Sequence, residues 1–451
     1  MANGPLTVEQ IVALAPDAAS AKAGQGLATS RKWVAAGHDE RAVWGECAGS
    51  GAQPYQVVVD GAATAFRCTC PSRKVPCKHV LGLLLLRAGD ASAVPAGPEP
   101  TWVAEWLGSR DARAEQRAAR QAAAKPKTAS PEAAAATRER REERITAGLQ
   151  ALSRWLEDLI RQGLAGAQSR PYAYWDEAAA RLVDAQAPGA ARLVRQMAWI
   201  PASGPGWPER LLEAAARLHL LVTAYQRVQT LPAGIADDVR ATMGWTLRQE
   251  EVLMAPSIHD RWAVLGRRIE GEERLRFQRM WLWGEESGRA ALLLSFAHGS
   301  QPLEAGLAPG SWIEGDVVFY PSNAPLRAVL RDGYRAAEPG ERIPGHDTIA
   351  SALESYAAAL ASNPWLERYP LALRTVVPGR GGAGWIVRGA DDRTLPLHPG
   401  AEGGAWVLLA VSGGHPVDVV GEWNGRHLYP IGAVAERRYL PLDAPAMDGA
   451  A

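Results

Sequence analysis

Cys68-Thr69-Cys70-Pro71-Ser72-Arg73-Lys74-Val75-Pro76-Cys77-Lys78-His79 is the stretch from which the N-terminal fold is read. It holds three thiols and one imidazole, the ligand types that tetrahedral zinc takes. Cys68 and Cys70 are two residues apart, so on a strand end their side chains leave the same face. Pro71 stops the strand and a loop carries the chain back. Cys77 and His79 then arrive at the start of an apolar run, Val80 to Arg87, of helical composition. A helix N-terminus carries partial positive charge and favours thiolates. Arg67, Arg73, Lys74 and Lys78 flank the stretch and would offset the net negative charge of three thiolates on one zinc. The expected metal ligands are therefore Cys68, Cys70, Cys77 and His79, with Zn2+ as the ion.

The chain of 451 residues has only one further cysteine, Cys47, in the same short region. Reduced cysteines clustered beside a histidine point to a metal rather than to scattered core thiols or a disulfide. Cys47 has two open readings, a packed core residue or an alternative ligand. Packing is favoured because free cysteine is commonly buried.

Upstream, Thr7 and Gln10 have capping-box spacing before a helix, Val8 to Leu14, and Asp17 is placed to cap a second. Ala42 to Cys47 is extended, and Gly49-Ser50-Gly51 makes a turn. Tyr55 to Val59 is valine-rich, as strands are. Asp60-Gly61 is a turn signal, and Ala65 to Cys68 is the returning strand. A hairpin, four ligands and a following helix resemble the SWIM zinc-finger family, whose pattern is CxC, a variable gap, then CxH. Here the gap, Pro71 to Pro76, is short, and the resemblance covers about residues 40–88. The layout is similar to that of bacterial SWIM zinc-finger proteins with a long C-terminal extension. The resemblance implies zinc binding and recognition of proteins or DNA. It also implies an AAA-type ATPase or a von Willebrand A-like protein as partner.

Downstream the composition changes. Residues 91–136 read as a linker, with Trp102, Val103, Trp106 and Leu107 able to form a short docking helix. Residues 137–245 read as a helical domain. Ile145, Leu149, Leu152, Trp155, Leu156, Leu159 and Ile160 recur at helical spacing, and further helices follow Pro171, span Ala190–Trp199 and span Glu209–Val228. Residues 249–450 read as a mainly β domain with one inserted helix, about Thr348 to Ala361. Its strands are expected at Leu275–Trp283, Ala290–Phe296, Trp312–Tyr320, Trp385–Val387, Trp406–Val411, Val417–Trp423 and His427–Tyr429. The expected class is α+β multidomain: a small zinc-bound ββα-like module (1–90), a helical middle, and a β-rich C-terminal region. The frequent tryptophans there, Trp281, Trp283, Trp312, Trp385, Trp406 and Trp423, fall at strand positions and read as core.

No motif for catalysis stands out. There is no phosphate-binding GxxxxGK[ST], no HExxH and no GxSxG. Gly379 to Gly384 spells GxGxxG, but a strand follows where a dinucleotide site needs a helix, so a hairpin or exposed loop is expected. His259-Asp260 reads as a surface turn. Lysine plus arginine and aspartate plus glutamate balance at 49 each, which argues against non-specific coating of DNA. The longest apolar run is far shorter than the roughly 20 residues of a membrane span. No signal peptide is read at the start. The expectation is a cytoplasmic, non-catalytic, zinc-binding adaptor without a membrane partner. The alternative is a DNA-binding accessory protein contacting phosphates through the basic residues around the finger.

Overall fold

The computed structural model describes residues 6–442, apart from 17, 50–52, 61–64, 73, 124–130, 273–274, 299–306, 383 and 437. Asp17, Ser50, Gly51, Gly61 and Arg73 lie outside the described residues.

The N-terminal module begins with α1 (Val8–Leu14), opened by the expected Thr7–Gln10 capping box, and α2 (Ala18–Gln25). Four antiparallel strands follow in sequence order: β1 (Trp33–His38), β2 (Ala42–Cys47), β3 (Tyr55–Asp60) and β4 (Ala65–Cys68). α3 (Lys78–Gly89) is buried along Val80–Leu86, so it is a core helix rather than an amphipathic one. Strand alternation splits the sheet's side chains. Val43, Cys47, Val57 and Val59 meet the α3 leucines. Ala42, Trp44 and Val58 point to the other face. α2 and α3 approach so closely at Gly82 that a Cβ there would stand 2.7 Å from Leu27 Cβ. β1 has no β-branched run, and its pairing with β2 is what makes it a strand.

Part of the stretch read as a linker packs on the module. Val94 is fully buried, and the backbone of His38 exchanges hydrogen bonds with Pro95 and Gly97. α4 (Thr101–Ala123) lays Val103, Trp106 and Leu107 on the second face of the sheet, beside Trp44 and Val58. Arg41 forks onto Asp111 at 2.6 and 2.9 Å, and Arg110 pairs with the buried Asp60. The docking helix expected from Trp102 to Leu107 is therefore the cover of an otherwise exposed apolar sheet face.

Five helices make the middle region: α5 (Pro131–Arg161), α6 (Tyr172–Asp184), α7 (Pro188–Met197), α8 (Trp207–Gln226) and α9 (Ala233–Met243). Ile145, Leu149, Leu152, Leu156 and Leu159 form one buried stripe, packed with Trp175, Leu211, Leu218 and Met243. α9 is a separate helix beyond those expected from the apolar spacing. It crosses α7 at Gly189, where a Cβ would collide with the carbonyl of Thr242.

After a short α10 (Gln249–Val252) the chain is mainly β. β5 (Ile258–Glu272), β6 (Leu275–Gly284), β7 (Ala290–His298), β8 (Trp312–Phe319), β9 (Arg327–Leu330) and β10 (Arg335–Ala337) form one sheet, ordered β10-β8-β5-β6-β7-β9. β8 also pairs with β9, which closes five strands into a small barrel and removes their edges. Trp262, Met280, Leu282 and Val317 form one of its apolar clusters. α11 (Ile349–Ser362) leads to a second sheet of β11 (Tyr369–Gly381), β12 (Gly384–Arg388), β13 (Thr394–Pro396), β14 (Val417–Trp423), β15 (Leu428–Ala435) and β16 (Arg438–Pro441). Its order is β13-β12-β11-β14-β15-β16, and α12 (Glu402–Ser412) is inserted before β14. Trp281, Trp283 and Trp312 pack against Val420, Ile431 and Tyr439 between the two sheets.

Two expectations fail here. Trp406–Val411 is helix, not strand. Ala405, Leu408 and Ser412 are buried at helical spacing while Trp406 is 53% exposed. The region therefore carries two inserted helices. His259-Asp260 is not a turn but the start of β5. The buried Asp260 carboxylate accepts backbone N–H groups of Arg261, Glu286 and Ser287. The Gly379–Gly384 segment is the expected hairpin, with Gly381 paired to Gly384. Trp281, Trp283, Trp312, Trp385 and Trp423 are core as expected, with Trp406 the exception. Among the described residues no helix is long and apolar enough to cross a membrane.

The N-terminal module sits against this region, with α1 packed on β16 of the second sheet and beside the barrel. Gln10 donates to the carbonyl of Pro309 at 3.4 Å, Arg267 to that of Ala15 at 3.5 Å, and Ala308 joins the module's core.

Candidate metal centre

Cys68 ends β4, Cys70 follows it, Cys77 is the N-cap of α3, and His79 lies in the first turn of that helix. One strand end and one helix start thus supply two ligands each. Their ligand atoms all lie within 4.8 Å of one another, the one such cluster among the described residues. His79 Nδ1 is 3.7 Å from Cys68 Sγ and 3.9 Å from Cys77 Sγ. A tetrahedral zinc shell with ordinary Zn–S and Zn–N lengths has edges of about 3.6–3.8 Å. The donor set and its spacing therefore fit zinc, and Cys68, Cys70, Cys77 and His79 are positioned to hold it. With four protein ligands the shell is closed, so the ion would be a staple rather than a site for activating water.

The thiols are not equivalent. Cys77 is held down to about 4 by the hydrogen bond from Cys68, against the cost of burial. His79 and the backbone N–H groups of His79 and Val80 at the α3 N-terminus add to the effect. Cys68 is pushed up by that same bond and by burial, and Cys70 is raised chiefly by burial. One sulfur is thus poised as a thiolate while two hold protons that a metal ion must displace. The imidazole of His79 is buried, and the ring of Tyr55 lies against it with centroids 4.9 Å apart. Sequence reading missed Tyr55. Its signal is the strand register, which pairs Tyr55 with Cys47 at the sheet end next to the ligands.

Cys47 stands apart from the cluster. It is fully buried among Trp33, Val57 and Leu83, and burial pushes its thiol up. It packs the core.

Among the described residues the flanking cations do not form one ring. Lys74 and Lys78 are exposed near the ligands. Arg67 pairs with Val58 and by strand alternation leaves the face opposite Cys68. Arg87 is half-buried in the last turn of α3, at the far end of the helix from Cys77. Lys32, not anticipated, shares with Lys78 the electrostatic neighbourhood of Cys47.

Residues 55–88 match the model of the SWIM zinc finger, and residues 140–243 match that of the SWIM-associated four-helix bundle domain. Neither match reaches the β-rich C-terminal region. No curated protein and no solved structure matches the chain.

Proposed function

We propose that this zinc-binding chain is a non-catalytic adaptor whose SWIM finger presents a recognition surface to a protein partner. The carrying observation is the closed ligand set, which consumes all four zinc positions with protein side chains and leaves the ion a structural task. What the staple holds in place is the loop between the ligand pairs. Pro71, Ser72, Lys74 and Val75 are exposed there, and Lys78 follows. Val34, 67% exposed on β1, adds an apolar element to the module surface. A mixed apolar and basic surface on a metal-pinned loop suits a protein with an acidic-apolar face. The resemblance implies AAA-type ATPases and von Willebrand A-like proteins as the partner classes to try. Affinity capture with the whole chain tests this. Wild type should retain a partner that Cys68→Ser plus Cys70→Ser loses. Equal capture by both, or none by either, would refute a finger-borne contact.

DNA contact is the second reading, favoured by the exposed cations Lys32, Lys74 and Lys78. Placement of Arg67 on the opposite sheet face and of Arg87 at the far helix end takes these two cations away from the loop. Three contacts would give a salt slope of roughly −2.7 in log affinity. A flat salt response would exclude this reading.

A further inference from the structure

A cavity of about 930 Å³ lies where the helical bundle meets the C-terminal β region. That is the upper end of the volumes that hold small molecules, roughly 300–1,000 Å³. Its floor is a rigid buried network. Arg279 bonds Glu422 at 2.8 and 3.0 Å and Glu270 at 2.8 Å, and the Trp281 indole N–H bonds Glu422 at 2.9 Å. The floor cation is therefore already neutralised.

The walls differ. Arg240 and Arg368 both line the cavity, and among the described residues neither makes an ion pair within 4.0 Å or a side-chain hydrogen bond, although Arg368 acts through space on Glu270 and Glu367. Arg141 also lines it. Its guanidinium stacks 4.0 Å above the Trp245 ring and its buried Nε–H has no partner. Several wall carboxylates are engaged: Glu251 by Arg248, Glu367 by Arg192, and Asp238 by the Asn323 N–H. Glu142 and Asp237 share the lining, which disfavours a polyanion. Unmet guanidinium donors beside the indoles of Trp245 and Trp365 suit a ligand that joins one anionic group to a planar ring.

We propose that this cavity binds a small anionic aromatic molecule, its phosphate, sulfonate or carboxylate held by Arg240 and Arg368 and its ring by the tryptophan wall. The site is separate from the zinc centre, so its ligand would act on the junction of bundle and β region.

Calorimetry on the full zinc-loaded chain tests it with adenosine monophosphate, anilinonaphthalene sulfonate and indole acetate as probes. Adenosine and inorganic phosphate serve as the ring-only and anion-only controls. At least one probe should bind below millimolar concentration. Both controls should bind about tenfold or more weaker, as expected when a charge-assisted contact or the ring burial is removed. Arg240→Ala and Arg368→Ala, neither of which breaks a direct salt bridge, should weaken the probe by a similar factor, with the melting temperature unchanged in Arg240→Ala and lowered only slightly in Arg368→Ala, which acts through space on Glu270 and Glu367. No probe binding, equal binding of the uncharged control, or full affinity in both variants would overturn the assignment.

Discussion

The zinc module and the helical bundle are of similar length, yet they are closed in different ways. The bundle is held by a continuous apolar interior. Ile145, Leu149, Trp175, Leu182, Leu211, Leu221 and Met243 are all at most 2% exposed. The module splits its apolar residues over two sheet faces, one under α3 and one under α4, and joins β4 to α3 through a loop with little apolar content. A small domain with a divided core needs a staple. Cys68, Cys70, Cys77 and His79 tie the strand end to the helix start across that loop. The two regions should therefore respond to different insults. The module should fail when metal or thiolate is removed, and the bundle when its packing is cut.

The largest expected effect is loss of zinc. Structural zinc contributes about 10–16 kcal/mol of apparent binding free energy in finger peptides. Chelation, or Cys68→Ser plus Cys70→Ser, should unfold the module while the bundle keeps its helical signal. Limited proteolysis resolves the two, with cuts expected before about residue 111 and protection across 140–243. Co-unfolding of the bundle would show that the regions are one cooperative unit.

Acid should act on the same side of the comparison. Metal-free, Cys68 and Cys70 hold their protons above the ordinary thiol range, while Cys77 gives its proton up at about 4. Zinc entry near neutral pH therefore expels protons from Cys68 and Cys70, so the metal-bound state carries fewer protons than the metal-free one. Its stability advantage is present at neutral pH and falls as pH drops, more steeply once Cys77 also protonates near 4. Calorimetry in buffers of different ionisation heat measures the released protons. Zinc affinity independent of pH would contradict this thiol assignment.

In the bundle, Leu149→Ala removes a fully buried side chain and should cost about 3 kcal/mol. Zinc affinity should be untouched, as read by thermal unfolding beside a zinc titration. The smallest effect returns to the module. Gly82→Ala forces a methyl toward Leu27 at the α2–α3 crossing and should cost about 1–3 kcal/mol. Added zinc should restore part of the loss, whereas it should do nothing for Leu149→Ala.

What was legible in the sequence follows the strength of local signals. The capping box, the valine strand β3, β4 and the ligand cluster are local features, and each sits where its residues place it. The bundle was legible because its apolar stripe recurs at helical spacing over many turns. Elements made by tertiary contacts were not. β1 is a strand through its pairing with β2, and α4 docks because Trp44 and Val58 need cover. α12 looks like a strand by composition, but the buried set Ala405, Leu408 and Ser412 keeps helical spacing. Arg67 shows the same limit at the site, since neighbouring positions on a strand serve opposite faces. The cavity between bundle and β region is assembled from residues that are distant in sequence, and no local pattern announces it.

One zinc ion is expected to close the N-terminal module through Cys68, Cys70, Cys77 and His79. Elemental analysis of the whole chain, purified under reducing conditions without chelator, tests it most directly beside Cys68→Ser plus Cys70→Ser and Cys47→Ser. One zinc per chain is expected in wild type and in Cys47→Ser, and none in the double variant. Zinc retained without Cys68 and Cys70, or lost with Cys47 alone, would contradict it.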